Sequence, residues 1–329
     1  MNEVGLRGLA RRLAATTIIF VTVLLAYSTL MNVRALNVTV CGVLLSAALL
    51  LAGWFVSAIR LKLLLRAFKP GLRCSLGVCV KARFAGDVLA KMTPSSIGGE
   101  PARAYYISTR TGLSFLEAYA LAIYEVYFDV ILTCAMGAAV SLNYMPLGLP
   151  VLITSVSAGA LWIVVFSSLD KITGFLCRRI FGSKRVKGSL VGKYLDKLVY
   201  PLTRFKGHYT EVSSRVTTKL KALTWALTFL VHTLWSVSLI PLIPCSEVAH
   251  SGVMGLLWRS VSAYYLMQSI SILPTPGGSG VAEYGLSLAL PADTVVAYRV
   301  LYFFVPVLIG LLVLLKRPKN ICDEAGEHA

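Results

Sequence analysis

Charge is scarce in this chain, and acid is scarcer than base. Of 329 residues, 14% are charged, where an ordinary soluble domain carries roughly 25%. Asp and Glu number 15 against 32 Lys and Arg, for a net charge of +17. With 57% hydrophobic residues and a mean hydropathy of +0.74, the chain cannot cover itself with polar surface. Lipid is therefore the expected solvent. A strongly basic balance can also mark a nucleic-acid binder. Here the charge lies in loops between apolar blocks, which is the positive-inside pattern, so no nucleic-acid partner is expected.

Signatures of metal, redox and nucleotide chemistry are missing as well. The seven cysteines, Cys41, Cys74, Cys79, Cys134, Cys177, Cys245 and Cys322, form no CxxC and no Cys/His cluster of metal-ligand spacing. They read as small buried hydrophobes. There is no GxxxxGK[ST], and GGSGVAE at 277–283 lacks the strand–turn–helix setting of a dinucleotide loop. No cofactor is expected. Arg7, Arg11 and Arg12 precede an apolar run too long for a signal-peptide core, so this run reads as an uncleaved first span.

What the chain does have is long apolar runs, at about 13–31, 37–59, 114–141, 150–168, 222–244, 253–273 and 295–315. Each meets the need for about 20 residues at 1.5 Å rise. Two basic stretches, 60–112 and 169–221, separate them, while the other connectors carry almost no positive charge. The bias places the N-terminus and both basic stretches in the cytoplasm. Lys316, Arg317 and Lys319 after the last run ask for the same side, which seven crossings would deny. An eighth crossing over 274–292, broken by Pro274, Pro276, Gly277, Gly278 and Gly280, would resolve the conflict. The expected fold is thus an all-α integral membrane bundle of about seven or eight spans with two Pro/Gly-interrupted or re-entrant segments. Residues 1–315 read as a single transmembrane domain. Within it, 169–221 is a basic amphipathic cytoplasmic insert on the membrane surface, with a solvated linker helix as the plainer alternative. Residues 316–329 read as a short cytoplasmic tail.

The two interruptions match. KMTPSSIGGEPARAYY (91–106) and LPTPGGSGVAEYG (273–285) each run from Thr-Pro through small residues to Glu: Thr93-Pro94 to Glu100, and Thr275-Pro276 to Glu283. Corresponding broken segments in two halves point to a transporter-type midplane site. Irregular backbone at membrane depth survives only when buried in protein or lining a wet cavity. Glycine lets backbone N–H groups approach a ligand, and a helix start there favours an anion such as a lipid phosphate. A Glu in a first helical turn is also ordinary capping.

The third run carries Glu117, Glu125 and Asp129 on one helical face. Glu117 lies near the cytoplasmic end of the run, where it can reach water. Glu125 and Asp129 are deep, and two such carboxylates repel unless one is protonated or a cation sits between them. Arg103, Lys91 and His232 are the candidate partners. The choice is between a functional group and a buried ion pair that ties helices together. Arg83, Asp87 and Lys91, four apart, read as a surface stripe. Arg259 and Arg299 read as side chains snorkelling to the outer interface or as a cationic vestibule.

Pro94-x-x-x-Gly98-Gly99-Glu100-x-x-Arg103, Glu125-x-x-x-Asp129 and Pro274-x-Pro276-Gly277-Gly278-x-Gly280-x-x-Glu283 resemble the membrane region of the lysylphosphatidylglycerol synthase/flippase family over about 10–315. Many relatives carry Arg after the first carboxylate of the E…D pair, where this chain has Val126. The resemblance implies a helical domain that moves a modified phospholipid between leaflets, sometimes fused to a soluble lipid-modifying or glycosyltransferase domain. Residues 316–329 are too short for either, so lysyl transfer is not expected.

The expectation is a flippase-like protein of the cell membrane, with both termini cytoplasmic, binding a phospholipid or glycolipid. A separate cytoplasmic lipid-modifying enzyme is a candidate partner. The expected binding residues are Gly98, Gly99, Glu100, Arg103, Glu125, Asp129, Pro276, Gly277, Gly278, Gly280 and Glu283. A membrane-embedded transferase, with Glu100, Asp129 or Glu283 as general base, and a lipid-presenting scaffold are the competing readings.

Overall fold

The computed structural model describes residues 3–33, 36–72, 74–169, 171, 173–175 and 190–315. Apart from one isolated bridge, the regular structure among them is helical. Six stretches are long and apolar enough to cross a bilayer: Ala10–Leu30, Val40–Phe68, Phe115–Tyr144, Leu149–Ser167, Thr218–Leu242 and Ala292–Leu315. The chain is an all-α polytopic membrane protein. Bare apolar side chains such as Ile18, Leu44, Ile153, Leu161 and Leu312 cover the outside of these helices, as lipid requires.

The spans are α1 (Glu3–Leu30), α2 (Val40–Phe68), α5 (Phe115–Ser141), α6 (Leu149–Ser167), α8 (Thr218–Val237) and α11 (Ala292–Leu315). Local chemistry sets their ends. Thr39 caps α2 by accepting from Gly42 N, and Thr217 caps α8 by accepting from Leu220 N. Ser114 and Glu117 form a reciprocal capping box at the start of α5, and Lys69 reaches Glu117 at 2.6 Å. The apolar run ending at 59 understates α2, which continues to Phe68. Leu61, Leu64, Leu65 and Phe68 extend its buried stripe at helical spacing. Arg60, placed by sequence at the head of a loop, is therefore inside a span.

Between α2 and α5 lie α3 (Leu76–Met92) and α4 (Gly99–Thr111), folded back on each other. Between α8 and α11 lie α9 (Cys245–Ile270) and the short α10 (Val281–Ser287), likewise folded back. The sixth apolar run, 253–273, falls mostly in α9. Its Tyr264, Leu266 and Met267 are fully buried together with Ser260, Ser262 and Ser269. From Ser260 onward it faces protein rather than lipid, so it carries hydroxyls that a lipid-facing helix would avoid, whereas Val253, Met254 and Trp258 before it are exposed.

Helix α3 packs against α4, α2 and α11. At Gly310 of α11, a Cβ would stand 2.4 Å from the Phe84 carbonyl oxygen, so only glycine allows that approach. Phe20 of α1 stacks on Phe303 of α11 at 4.0 Å between ring centroids. Helix α7 (Leu190–Arg215) docks on α5 through Phe205 against Tyr119 and Tyr209 against Tyr124, with Val212 fully buried. This part of the 169–221 segment is packed and is not a solvated linker. Residues 176–189 of that segment and the 316–329 tail lie outside the described residues. Cys74, Cys79 and Cys134 are buried as expected, whereas Cys41 and Cys245 are exposed in the first turns of α2 and α9.

Candidate functional site

The two interruptions meet. Pro94 and Pro276 form an antiparallel bridge, the sole one among the described residues. Their backbones also match. After Pro94, Ser95 and Ser96 have φ of 53° and 58°; after Pro276, Gly277 and Gly278 have φ of 60° and 70°. Ser96 N donates to Thr93 O and Ile97 N to Pro94 O; Gly278 N donates to Thr275 O and Ser279 N to Pro276 O. Each break is thus the same left-handed double turn, entered through Thr-Pro. Equivalent residues paired antiparallel are what two copies of a motif related by a local two-fold axis would show. The serines hold a conformation that glycine adopts without strain. Proline causes the break by biasing the preceding residue away from helix: Thr93, which ends α3, is extended at φ −116°, ψ 143°.

Beside the breaks, arginines converge on the carboxylates of α5. Glu125 is fully buried and accepts from Arg60 Nε at 3.0 Å, from Arg103 Nη1 at 3.0 Å and from Arg83 Nη2. Asp129, one turn on, takes Arg60 in a fork with both contacts at 2.7 Å. Arg60 is the cation that lets two carboxylates share one helical face. Glu125 lies ten residues into α5, roughly 15 Å from its start, so the cluster is near mid-span. Charges so placed persist only when paired and hydrogen-bonded. It ties together α2, α3, α4 and α5, one ion from each of three helices onto the fourth.

A polar chain leaves this cluster. His232 Nε2 stands 3.4 Å from Asp129 Oδ1, and His232 Nδ1 3.0 Å from the Tyr264 hydroxyl. Gln268 donates to the Tyr264 oxygen at 3.2 Å and accepts from the Tyr302 hydroxyl at 3.5 Å. Over the Tyr302 ring stands the Lys91 ammonium, 4.0 Å from the centroid. The Lys91 carbonyl in turn lies beside Gly277, so the chain runs from α5 back to the junction of the breaks.

A second buried pair braces the late break. Arg299 Nε donates to Glu283 Oε1 at 2.7 Å and Arg299 Nη2 to Gly277 O at 3.1 Å. Arg299 is 1% exposed, so it neither snorkels nor lines an open vestibule. Glu283 also accepts from Gly280 N at 2.7 Å, capping its own helix. Arg259, by contrast, stays near the periphery with Glu247 at 2.9 Å.

The expected residues thus sort into several roles. Arg103, Glu125 and Asp129 belong to one ion cluster, with Glu100 3.7 Å from Arg103. Pro276, Gly277, Gly278 and Gly280 shape the late break, the three glycines all at positive φ. Gly98 and Gly99 pack the early one: a Cβ would lie 2.7 Å from Thr93 Cγ2 and 3.0 Å from Ala90 Cβ, respectively. Glu283 is committed to Arg299 and its cap rather than turned toward open space. The stripe Arg83, Asp87 and Lys91 is not on the surface. Arg83 is buried in the cluster and the other two are half-buried beside it. The sequence offered two clues to this: the apolar Phe84, Val88 and Leu89 around the stripe, and the surplus of deep carboxylates needing cations.

Among the ion-paired carboxylates of the cluster, Asp129 at 26% and Glu100 at 20% remain partly accessible. The partners of Asp129, Arg60 and His232, are interior, so this access opens into the bundle. In this region Arg60, Arg83, Arg103, Lys91 and Arg299 match Asp87, Glu100, Glu125, Asp129 and Glu283 one for one. Counted formally, these ten side chains carry no net charge.

A family model described as the lysylphosphatidylglycerol synthase TM region matches residues 4–314. A protein of Archaeoglobus fulgidus described as a UPF0104 membrane protein is 27% identical over 283 residues, covering 82% of this chain and 80% of that one. No solved structure matches.

Proposed function

The chain belongs to the lysylphosphatidylglycerol synthase TM region family, and from that premise we propose that it is a flippase-like protein. It binds the headgroup of a polar or charged lipid between the two breaks and passes it from one leaflet to the other. The observation that carries this reading is the bridge between Pro94 and Pro276 beside a mid-span ion cluster with accessible carboxylates. Paired interruptions at the interface of two repeats are where transporters hold polar cargo. Backbone freed from helix is tolerable at that depth only next to a wet cavity. The headgroup enters this polar space while the acyl chains stay in lipid along the apolar outer faces. Glu100 and Asp129, each with a free sector, meet the cationic or hydroxylated part of the headgroup, and the glycines of the late break let it come close to the backbone. Arg103 orients Glu125 and Glu100. The N-terminus, the 169–221 segment and the C-terminal tail belong on the cytoplasmic side, where their positive charge favours anionic lipid.

Reconstitution into proteoliposomes with fluorescent phospholipids tests this directly. Leaflet exchange measured by dithionite quenching should exceed that of protein-free vesicles and fall at least tenfold in Asp129→Asn. Exchange no faster than in empty vesicles would refute the reading, and chemical turnover of lipid by protein in detergent would point to a transferase instead.

A further inference from the structure

Two charges beside the ion cluster stand outside its ion pairs. Asp87 and Lys91 stand one turn apart on α3, hence on one face. Neither belongs to any ion pair among the described residues. One oxygen of Asp87, Oδ2, is sealed from solvent and accepts no hydrogen bond. The Lys91 ammonium stands over the Tyr302 ring, 4.0 Å from its centroid, and makes no ion pair with the carboxylate one turn back. The neighbouring guanidiniums of Arg83 and Arg103 make their ion pairs with Glu125 and Glu100 rather than with Asp87, although the Nε of each is left without a partner. Both side chains are half-buried, not exposed.

This is an unusual thing to leave inside a membrane domain. Opposite charges at this spacing on a helix ordinarily close on each other, and an unpaired buried charge is costly. Their separation makes sense if something else completes both. Resting on the headgroup-binding reading above, we infer that Asp87 and Lys91 form the recognition pair for a zwitterionic phospholipid headgroup, one that carries an amine a short linker away from its phosphate. Lys91 takes the phosphate and Asp87 the ammonium. Three observations converge on this. The pair presents both signs, one turn apart, a span that a two-carbon linker between phosphate and amine can bridge. The Lys91 backbone carbonyl lies beside Gly277, so the residue is anchored where the breaks join. The deep charges already balance, so a headgroup of zero net charge enters without leaving an excess in a medium of low dielectric. A net-anionic phosphoglycerol headgroup satisfies Lys91 but sets only a neutral hydroxyl against Asp87. Charged hydrogen bonds exceed neutral ones by enough to make the preference about tenfold or more.

The test is equilibrium binding to the purified full-length protein in detergent, followed by tryptophan fluorescence, since Trp54 packs next to Tyr302 with ring centroids 6.3 Å apart. The probes are dihexanoyl phosphatidylethanolamine, dihexanoyl phosphatidylglycerol and inorganic phosphate. The ethanolamine lipid should half-saturate at least tenfold below the glycerol lipid. Asp87→Asn should bring the two together by weakening only the ethanolamine lipid, and Lys91→Gln should weaken both. Equal affinities in the unmodified protein overturn the inference, whether or not the variants fold. So does an Asp87→Asn protein that keeps the preference. Inorganic phosphate competing as well as the lipids assigns Lys91 to free phosphate and overturns the lipid assignment. Because micelles have no leaflets, binding preference without leaflet exchange in vesicles would sink the flippase reading and leave this headgroup site in place. Exchange without preference would do the reverse.

Discussion

Replacing Glu125 with glutamine isolates what the mid-span ion cluster contributes to the fold. The change keeps volume and shape but removes the charge onto which Arg60, Arg83 and Arg103 converge. Arg60 retains its fork with Asp129, and Arg103 retains a distant contact with Glu100 at 3.7 Å. Arg83 keeps only a 3.3 Å contact with the Ser57 carbonyl. The loss therefore falls mainly on Arg83 and Arg103, both more than nine-tenths buried. Breaking a buried pair by deleting one partner costs about 3–5 kcal/mol, because the other charge stays buried without compensation. At two to four degrees per kcal/mol, the melting temperature should drop by about 10 °C. Fluorescence-detected size-exclusion chromatography after graded heating in detergent reads this shift. Glu125→Gln with Arg83→Gln should recover part of the loss, since the pair then leaves together. A Glu125→Gln protein melting within about 2 °C of the parent, where ~1 kcal/mol would be visible, would show that the cluster is not the tie between these helices.

The left-handed turns make an asymmetric prediction: Gly278→Ser should cost about 1–2 kcal/mol, because φ is 70° there, whereas Ser96→Gly should stay within about 1 kcal/mol of the parent, relief of strain offsetting the added chain entropy. Thermal melts of the two variants side by side check this, and a larger loss in Ser96→Gly would contradict the matched-turn account. Arg299→Lys keeps the charge but cannot reach Glu283 and the Gly277 carbonyl with one planar fork. It should lower the melting temperature by several degrees and leave the segment around 277–283 more accessible, read as faster amide hydrogen exchange there than in the parent.

Much of this molecule was legible in one dimension. Runs of apolar residues at bilayer length announced the spans, since a helix in lipid must carry its solvent contact in its own side chains. The Thr-Pro and Gly patterns at 93–99 and 275–280 announced the breaks, because proline and positive φ are local constraints. Glu125 and Asp129 stood out because ionisable residues are rare at that depth. Which cations answered them was a different matter. Arg60 was lost to a boundary, since a charge at the end of an apolar run reads as a loop although the helix carries on to Phe68. Arg83 and Lys91 shared a spacing that fits a surface stripe, and only the packing of α3 among α2, α4 and α11 turned it inward. Arg299 and Glu283, sixteen residues apart, were joined by the fold-back of α10 and α11. Spacing along a chain settles which groups share a face. Which face meets which depends on how hairpins fold back on one another. Here that brought two distant prolines into contact and left Asp87 and Lys91 outside every ion pair among the described residues.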